Sequence, residues 1–182
     1  MREAAGFHEQ DAEAIIAASL EIAPMQWIAE RRREAEACEF SEDELLGEWP
    51  DEVLDNGSIM LHTDILTGKT KPETFLGLAR IEQPWHLAAA VRFGGWNACP
   101  TPEEHCALHR EWQEQYGAEI TGMSSDVVEC SVRKPPTYRE SASVLAWQQY
   151  WYCEDIVVQG VGTISRLAGT LLNSHYWYFW WD

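Results

Sequence analysis

Apolar residues recur at helical spacing through the first third of the chain. They cluster between residues 15 and 22 and again between 25 and 28, a pattern that predicts two amphipathic helices that dock against other structure. Pro24 suits the first position of the second helix, because its missing N–H is not needed there. Ser41 and Glu44 have the capping-box spacing and predict a third, short helix.

The period changes after Asp55-Asn56-Gly57, a turn-forming triplet. Two segments, IMLHTDIL at 59–66 and TFLGLARIE at 74–82, are predicted to be extended and joined by a hairpin-like loop. AEITGMS at 118–124 and DVVECSV at 126–132 alternate as strands do. We therefore divide the chain into an acidic helical segment, residues 1–55, and a mixed domain, residues 56–182.

Helix signals separate these strands. Pro84 and three successive alanines predict a helix that Gly94 and Gly95 close in left-handed geometry. Thr101 and Gly117 bound another helix as its first cap and its terminator. Two more helices are predicted after the double proline at 135–136 and over TISRLAGTLLN at 163–173.

The sequence ends in SHYWYFWWD, with six consecutive aromatic residues at 176–181. A strand here directs alternate aromatic residues to opposite faces, and neither face looks solvated. We therefore expect a central or helix-covered strand. Together the patterns predict an α+β fold with a mainly antiparallel sheet of about five strands covered by helices.

Charge adds a prediction about partners. The formal net charge is -17, and residues 1–55 hold 16 of the 30 acidic residues but 4 of the 13 basic ones. Such a chain is a poor direct ligand for nucleic acid or an anionic membrane, since both attract Lys and Arg. A basic protein is the expected partner.

Cysteine usage and hydropathy predict a compartment. The five cysteines are odd in number and include no CxxC pair, so we expect reduced thiols and a cytoplasmic protein. The N-terminal residues have acids where a signal peptide needs an apolar run, and no stretch approaches the length of a membrane span.

Several motifs in a fixed order resemble a bacterial and viral family described only as a domain of unknown function. They include GGWNACP at 94–100, EWQEQYGAEI at 111–120, the RKPPTYRE junction, QYWYCEDIVVQGVGTI at 149–164 and the closing aromatic-Trp-Trp-Asp. The resemblance covers roughly residues 58–182. It implies no reaction, cofactor or catalytic residue, and it is compatible with an immunity or inhibitor role.

One group of side chains has the composition of a metal site. Cys99, His105, Cys106 and His109 lie close in sequence, and the two histidines share a helix face because they are four residues apart. The spacing matches no standard zinc pattern. We expect a solvated helix face that carries two histidines, with neither metal nor cofactor bound.

A thiol nucleophile at Cys153 is disfavoured. Glu154 and Asp155 follow it directly, and neighbouring acids raise a thiol pKa. We expect a buried structural cysteine instead. An enzyme remains an alternative, with a pocket around Trp96, Asn97, His105, Cys153 and Asp155.

The leading hypothesis is a non-enzymatic binding protein of the immunity or inhibitor type, and a structural subunit of a larger assembly is a further alternative. Small size, excess acid and abundant Trp and Tyr favour binding. The predicted partner-binding residues are acids of the N-terminal segment and two residues of the GGWNACP loop: Glu34, Glu36, Glu39, Glu42, Asp43, Glu44, Trp96 and Asn97.

Overall fold

A computed structural model of the protein describes residues 9–37, 41–52, 57–63 and 67–182. The described part contains seven α-helices, a 3₁₀ turn, a π-helix and three β-strands. In chain order they are α1 (Glu9–Ser19), α2 (Pro24–Glu36), α3 (Glu42–Leu46), the 3₁₀ turn (Pro84–His86), α4 (Leu87–Val91), α5 (Pro102–Tyr116), β1 (Ala118–Met123), β2 (Val127–Val132), α6 (Arg139–Tyr152), the π-helix (Ile156–Val161), α7 (Ile164–Leu171) and β3 (Tyr176–Trp180).

The N-terminal helices pack on the rest of the same chain. In α2, Ile28 is buried in the main core, and the Trp27 indole N–H donates to Glu104 of α5 at 2.7 Å. In α1, Ile15 and Ile16 pack against the alanines of α4. Within residues 9–37 and 41–52 the acidic segment contains the helices α1, α2 and α3, and α1 and α2 dock on the rest of the chain. The boundary predicted at residues 55 and 56 lies outside the described residues.

The sheet is antiparallel, with strand order β1-β2-β3. The prediction of about five strands is wrong for the described residues, which form three. β3 pairs with β2 on one side only, so it is an edge strand and not a central one. Its helix-covered face was predicted correctly.

The predicted strands within 59–66 and 74–82 account for the difference. Across the described part of this region, regular pairing is limited to a single bridge between Thr63 and Thr70, and residues 64–66 lie outside the description. Phe75, Leu76 and Leu78 are 84%, 93% and 95% exposed. Alternation predicted an extended segment, but a strand also needs a partner strand, and sequence pattern does not supply one.

The final aromatic run builds the centre of the core. Trp177, Phe179 and Trp181 are buried on the helix-covered face of β3, whereas Tyr176 and Tyr178 on the other face are exposed. The expectation that neither face is solvated is therefore wrong for the tyrosines. The Phe179 ring stacks on Trp112 of α5 with centroids 5.7 Å apart, and the buried rings hold this last strand in place.

Helix boundaries follow the local signals with two exceptions. Thr101 and Glu104 form a reciprocal capping box, and Gly117 ends α5 in left-handed geometry. The left-handed residue that ends α4 is Arg92, with φ 52°, and not Gly94 as predicted. Ser41 precedes α3, but its side chain makes no capping hydrogen bond.

In the part of the chain that the structure describes, every helix is too short or too polar to cross a membrane.

Candidate functional site

Arg32 pairs with two of the predicted acidic residues, and two others have no ion pair among the described residues. Arg32 of α2 contacts Glu36 at 3.0 Å and Glu42 of α3 at 2.7 Å, so these two carboxylates already have a cationic partner. Asp43 and Glu44 are exposed and have no ion pair among the described residues. Glu39 lies outside the described residues.

The excess acid is concentrated after α2 and not on it. Helix α2 carries three arginines and three glutamates, whereas residues 41–52 carry six acids and no basic residue. We call the exposed acids of this stretch the acidic strip; they are Asp43, Glu44, Glu48, Asp51 and Glu52. Glu48, Asp51 and Glu52 were not among the predicted binding residues, although their charge was visible in the sequence.

Contacts with the domain fix the acidic strip. The Ser165 hydroxyl of α7 donates to the Gly47 carbonyl at 3.0 Å, and the Arg139 guanidinium lies 4.7 Å from the Trp49 ring centroid. Gly47 has φ 66°, and a Cβ there would lie 2.6 Å from the Thr163 side chain. A glycine is therefore required where the strip crosses α7.

Glu34 lies near the predicted binding loop. It lines a depression of about 290 Å³ together with Arg31, Ala98, Trp151 and Glu154, and Ala98 directly follows Asn97. The depression lies between α2, the loop at 96–99 and the end of α6. The structure thus brings one predicted acid close to the GGWNACP loop.

Trp96 and Asn97 act chiefly within the chain. Trp96 packs edge-on against Phe93, with centroids 5.0 Å apart. Asn97 is exposed, and its amide donates to the Asp182 carbonyl at 2.9 Å. Asp155 accepts the Asp182 backbone N–H at 3.1 Å. The two polar groups therefore hold the end of the final strand.

Four of the five residues of the alternative enzyme pocket contact the last three residues of the sequence. The Cys153 thiol donates to the Trp180 carbonyl at 3.0 Å, and the Trp181 ring lies edge-on to His105 with centroids 5.5 Å apart. With the contacts of Asn97 and Asp155 to Asp182, they gather in one region around the end of the chain.

Two buried histidines share the hydroxyl of one buried tyrosine. The Tyr152 oxygen lies 2.7 Å from His105 Nδ1 and 2.9 Å from His109 Nε2. At the outer nitrogens, Cys99 Sγ lies 3.4 Å from His105 Nε2 and Cys130 Sγ lies 4.0 Å from His109 Nδ1. All five side chains are buried. They form one hydrogen-bonded chain across the core, which we call the His–Tyr network.

A consistent set of donors runs along this chain. A neutral hydroxyl donates one hydrogen bond, and a neutral imidazole has one N–H and one acceptor nitrogen. Tyr152 therefore donates to one histidine and accepts from the other. The proton positions can run in either direction between the two thiols, and in both cases each imidazole nitrogen has a partner.

Burial keeps the network uncharged. It lowers the pKa of His109 to about 3, and burial together with the neighbouring His109 lowers the pKa of His105 well below its ordinary value. Burial also raises the pKa of Tyr152 and Cys130, and raises that of Cys99 to about 12. A neutral hydrogen-bonded network in a buried core favours one packing arrangement, because each polar group loses its hydrogen bond if the packing changes.

The predicted solvated helix face is therefore wrong, because His105 and His109 point into the core. The tyrosine hydroxyl takes one nitrogen of each ring, the nitrogens that would otherwise converge on an ion. Among the described residues, no group of three or more His, Cys, Asp or Glu side chains has an arrangement that could hold a metal. His105 and His109 are buried because the face of α5 that carries them also carries apolar residues and packs into the core.

The prediction for Cys153 is confirmed. It is buried, and burial is the main cause that raises its thiol pKa, with the Asp155 charge adding to it. The four described cysteines, at 99, 106, 130 and 153, are all free and buried. Each has a raised pKa caused mainly by burial, which disfavours the thiolate form at neutral pH.

Sequence reasoning missed the two residues that complete the network, Tyr152 and Cys130. They lie 43 and 21 residues from His109 in the chain, and no local spacing links them to it. The available signal was the pair of histidines four residues apart, which predicts a shared face but not what the face meets.

The family assignment now rests on more than motif order. The family described as Domain of unknown function (DUF4253) matches residues 75–182, and this chain belongs to that family. The match covers α4 to β3, and so includes the His–Tyr network and the residues that hold the final strand. Neither curated proteins nor solved structures gave a match.

Proposed function

We propose that this protein is a non-enzymatic binding protein of the immunity or inhibitor type, and that its partner is a basic protein. The observation that carries the proposal is the acidic strip, where residues 41–52 hold six acids and no basic residue. Surface charge of one sign steers an oppositely charged partner and accelerates its association.

Contacts that hold the acidic strip against the domain favour a role in binding a partner over that of a solvated surface. Contacts of Gly47 and Trp49 with α7 and α6 hold the strip against the folded domain. A fixed surface loses little conformational entropy when it binds, which favours affinity. The depression lined by Arg31, Glu34, Trp151 and Glu154 offers a concave place for one polar side chain of the same partner.

The reactive groups of the core favour binding over catalysis. The His–Tyr network and the described thiols are buried and neutral, so they stabilise the fold and do not face a substrate. We propose a cytoplasmic protein of bacterial or viral origin, because its described cysteines are free and its motifs resemble those of a bacterial and viral family.

A charge-reversal experiment tests the proposal. Proteins are captured from the native host lysate on the full chain, and association of each purified partner is then measured over a range of ionic strength. In the triple variant Asp43→Lys, Glu44→Lys, Glu48→Lys, association should slow by about 10- to 100-fold, with a weaker dependence on salt.

The matched control reverses three exposed acids away from the strip, with Glu13→Lys, Glu73→Lys and Glu114→Lys. Both triple variants change the net charge equally, so only a local role of the strip separates them. Equal association rates for the two variants would contradict the proposal. A captured partner that is acidic, or an obligate assembly of many subunits, would instead favour the scaffold alternative.

A further inference from the structure

A nine-residue segment of the domain, rich in apolar residues, makes no regular strand pairing with the described part of the chain. Leu76 and Leu78 are almost fully exposed, and Phe75 is 84% exposed. Residues 71–80 are exposed without exception and form no helix or regular strand. Three neighbouring large apolar side chains in water mark a surface that another surface covers. We call residues 74–82 the free segment.

The open edge of β3 offers a strand-shaped place for it. Val132 donates to the His175 carbonyl and Trp181 donates to the Asp126 carbonyl, so the intervening Tyr178 directs its N–H and C=O away from β2. Neither of these two groups has a hydrogen-bond partner among the described residues. Both ends of the edge are closed, because Ser174 engages the backbone of Tyr176 and Cys153 engages the Trp180 carbonyl.

A groove of about 270 Å³ runs beside this opening, between β3, the π-helix and α7. Apolar side chains form most of its wall, including Ile156, Val161 and Leu171. Two buried donors also line it, the Gln149 side-chain amide and the Trp177 indole N–H, and neither has a partner within the described part of the chain. An extended peptide in this groove would supply apolar side chains for its wall and carbonyl acceptors for these two donors.

The free segment fits this groove in one register. If Gly77 lies beside Tyr178, the two side-chain directions match across the pair, and Leu76 and Leu78 point to the face of Trp177 and the groove. Gly77 has no side chain to clash with the Tyr178 ring, an arrangement in which an aromatic neighbour covers a strand glycine. The sequence Leu-Gly-Leu thus matches an edge whose open backbone groups are the Tyr178 N–H and C=O and the Trp180 N–H.

Charge fixes the direction. Arg80 lies on the same side of the segment as Leu76 and Leu78, and in a strand parallel to β3 it reaches the position beside Trp181. Asp155 lies there, lines the groove and has no cationic partner among the described residues. A parallel strand therefore pairs Arg80 with a carboxylate.

We propose that the free segment of one copy of this chain docks in the β3 groove of a second copy. Each chain carries both the segment and the groove, so two copies can exchange segments about a two-fold axis and cover both apolar surfaces. This inference concerns self-association and goes beyond the proposed binding of a basic protein.

Light scattering after size exclusion, over a dilution series of the full chain, tests the dimer. We expect a mass of twice the 20.8 kDa of one chain, and the double variant Leu76→Asp, Leu78→Asp should have half that mass. Val144→Asp, at another exposed apolar position, should leave the dimer intact. Gly160→Phe should fill the groove and give a monomer, since a Cβ at Gly160 makes only an ordinary contact, at 3.5 Å from the Asp155 carbonyl oxygen.

Cysteine pairing identifies the occupant. A chain with Gly77→Cys is mixed with a chain with Tyr178→Cys under mild oxidation, and we expect a covalent pair that Leu76→Asp abolishes. A protein that stays a monomer at every concentration overturns the proposal. So does a dimer that keeps its mass in the Leu76→Asp, Leu78→Asp variant, or a chain carrying both Gly77→Cys and Tyr178→Cys that forms this bond only within itself.

Discussion

Removing one oxygen atom from the core should destabilise the whole protein. The substitution Tyr152→Phe keeps the ring that packs against Phe179 and Trp181 but deletes the hydroxyl shared by His105 and His109. Its contacts of 2.7 and 2.9 Å are both lost. The site is buried, so water does not replace the hydroxyl without opening the packing.

The magnitude follows from the groups left behind. One histidine loses its donor and the other loses its acceptor, and each buried polar group without a partner costs about 1–3 kcal/mol. The expected loss in the free energy of unfolding is about 2–6 kcal/mol. Since small domains have about 5–15 kcal/mol in total, the variant should unfold at much lower denaturant concentration.

Urea denaturation followed by tryptophan fluorescence measures this loss, with the slope of the transition checked for constancy. Tyr138→Phe is the matched control, because Tyr138 is 73% exposed, and it should change stability by less than about 0.5 kcal/mol. A loss below about 1 kcal/mol in Tyr152→Phe, close to the control, would refute the argument that this hydroxyl satisfies both histidines.

Two further predictions concern the same network. Because folding holds His105 and His109 neutral, their contribution to stability is complete above the ordinary histidine pKa of 6.5 and is lost as the pH falls, towards about 3 for His109. The free energy of unfolding, measured by urea denaturation, should fall below pH 6.5 by about 1.4 kcal/mol per pH unit for each histidine; a free energy of unfolding that stays constant from pH 7 to 4.5 would contradict this. Gly94→Ala should destabilise by several times more than Gly95→Ala. Both glycines have positive φ, but only a Cβ at Gly94 meets atoms, at 2.0 Å from the Pro100 carbonyl and 2.7 Å from His105; equal urea midpoints for the two variants would contradict this.

Part of the candidate site was visible in the sequence. Counting residues is enough to find that residues 1–55 hold many more acidic than basic side chains. The acidic strip lies within that region. The sequence did not show that Arg32 pairs with Glu42, because Glu42 lies on a different helix. Charge in a sequence therefore locates an acidic surface, and the packing of α2 beside α3 decides which carboxylates remain free.

Local chemistry determined those elements whose signals act over one turn. The helix from Pro102 to Tyr116 is set by the Thr101 cap and by Gly117, since capping and left-handed geometry depend on adjacent residues. These signals need no information about distant parts of the chain. Alternation along β3 likewise places Trp177, Phe179 and Trp181 on one face and the tyrosines on the other, but packing decided that only the first face is buried.

Tertiary structure decided everything that needs a partner from elsewhere. TFLGLARIE has the pattern of a strand yet pairs with no strand among the described residues, because pairing depends on which edge is open and within reach. Tyr152 meets His105 and His109 only because α6 packs across α5. Sequence period fixes the face on which a side chain lies. The contact made by that face, and hence the pKa of a buried histidine, depends on the desolvation and hydrogen bonds that packing creates.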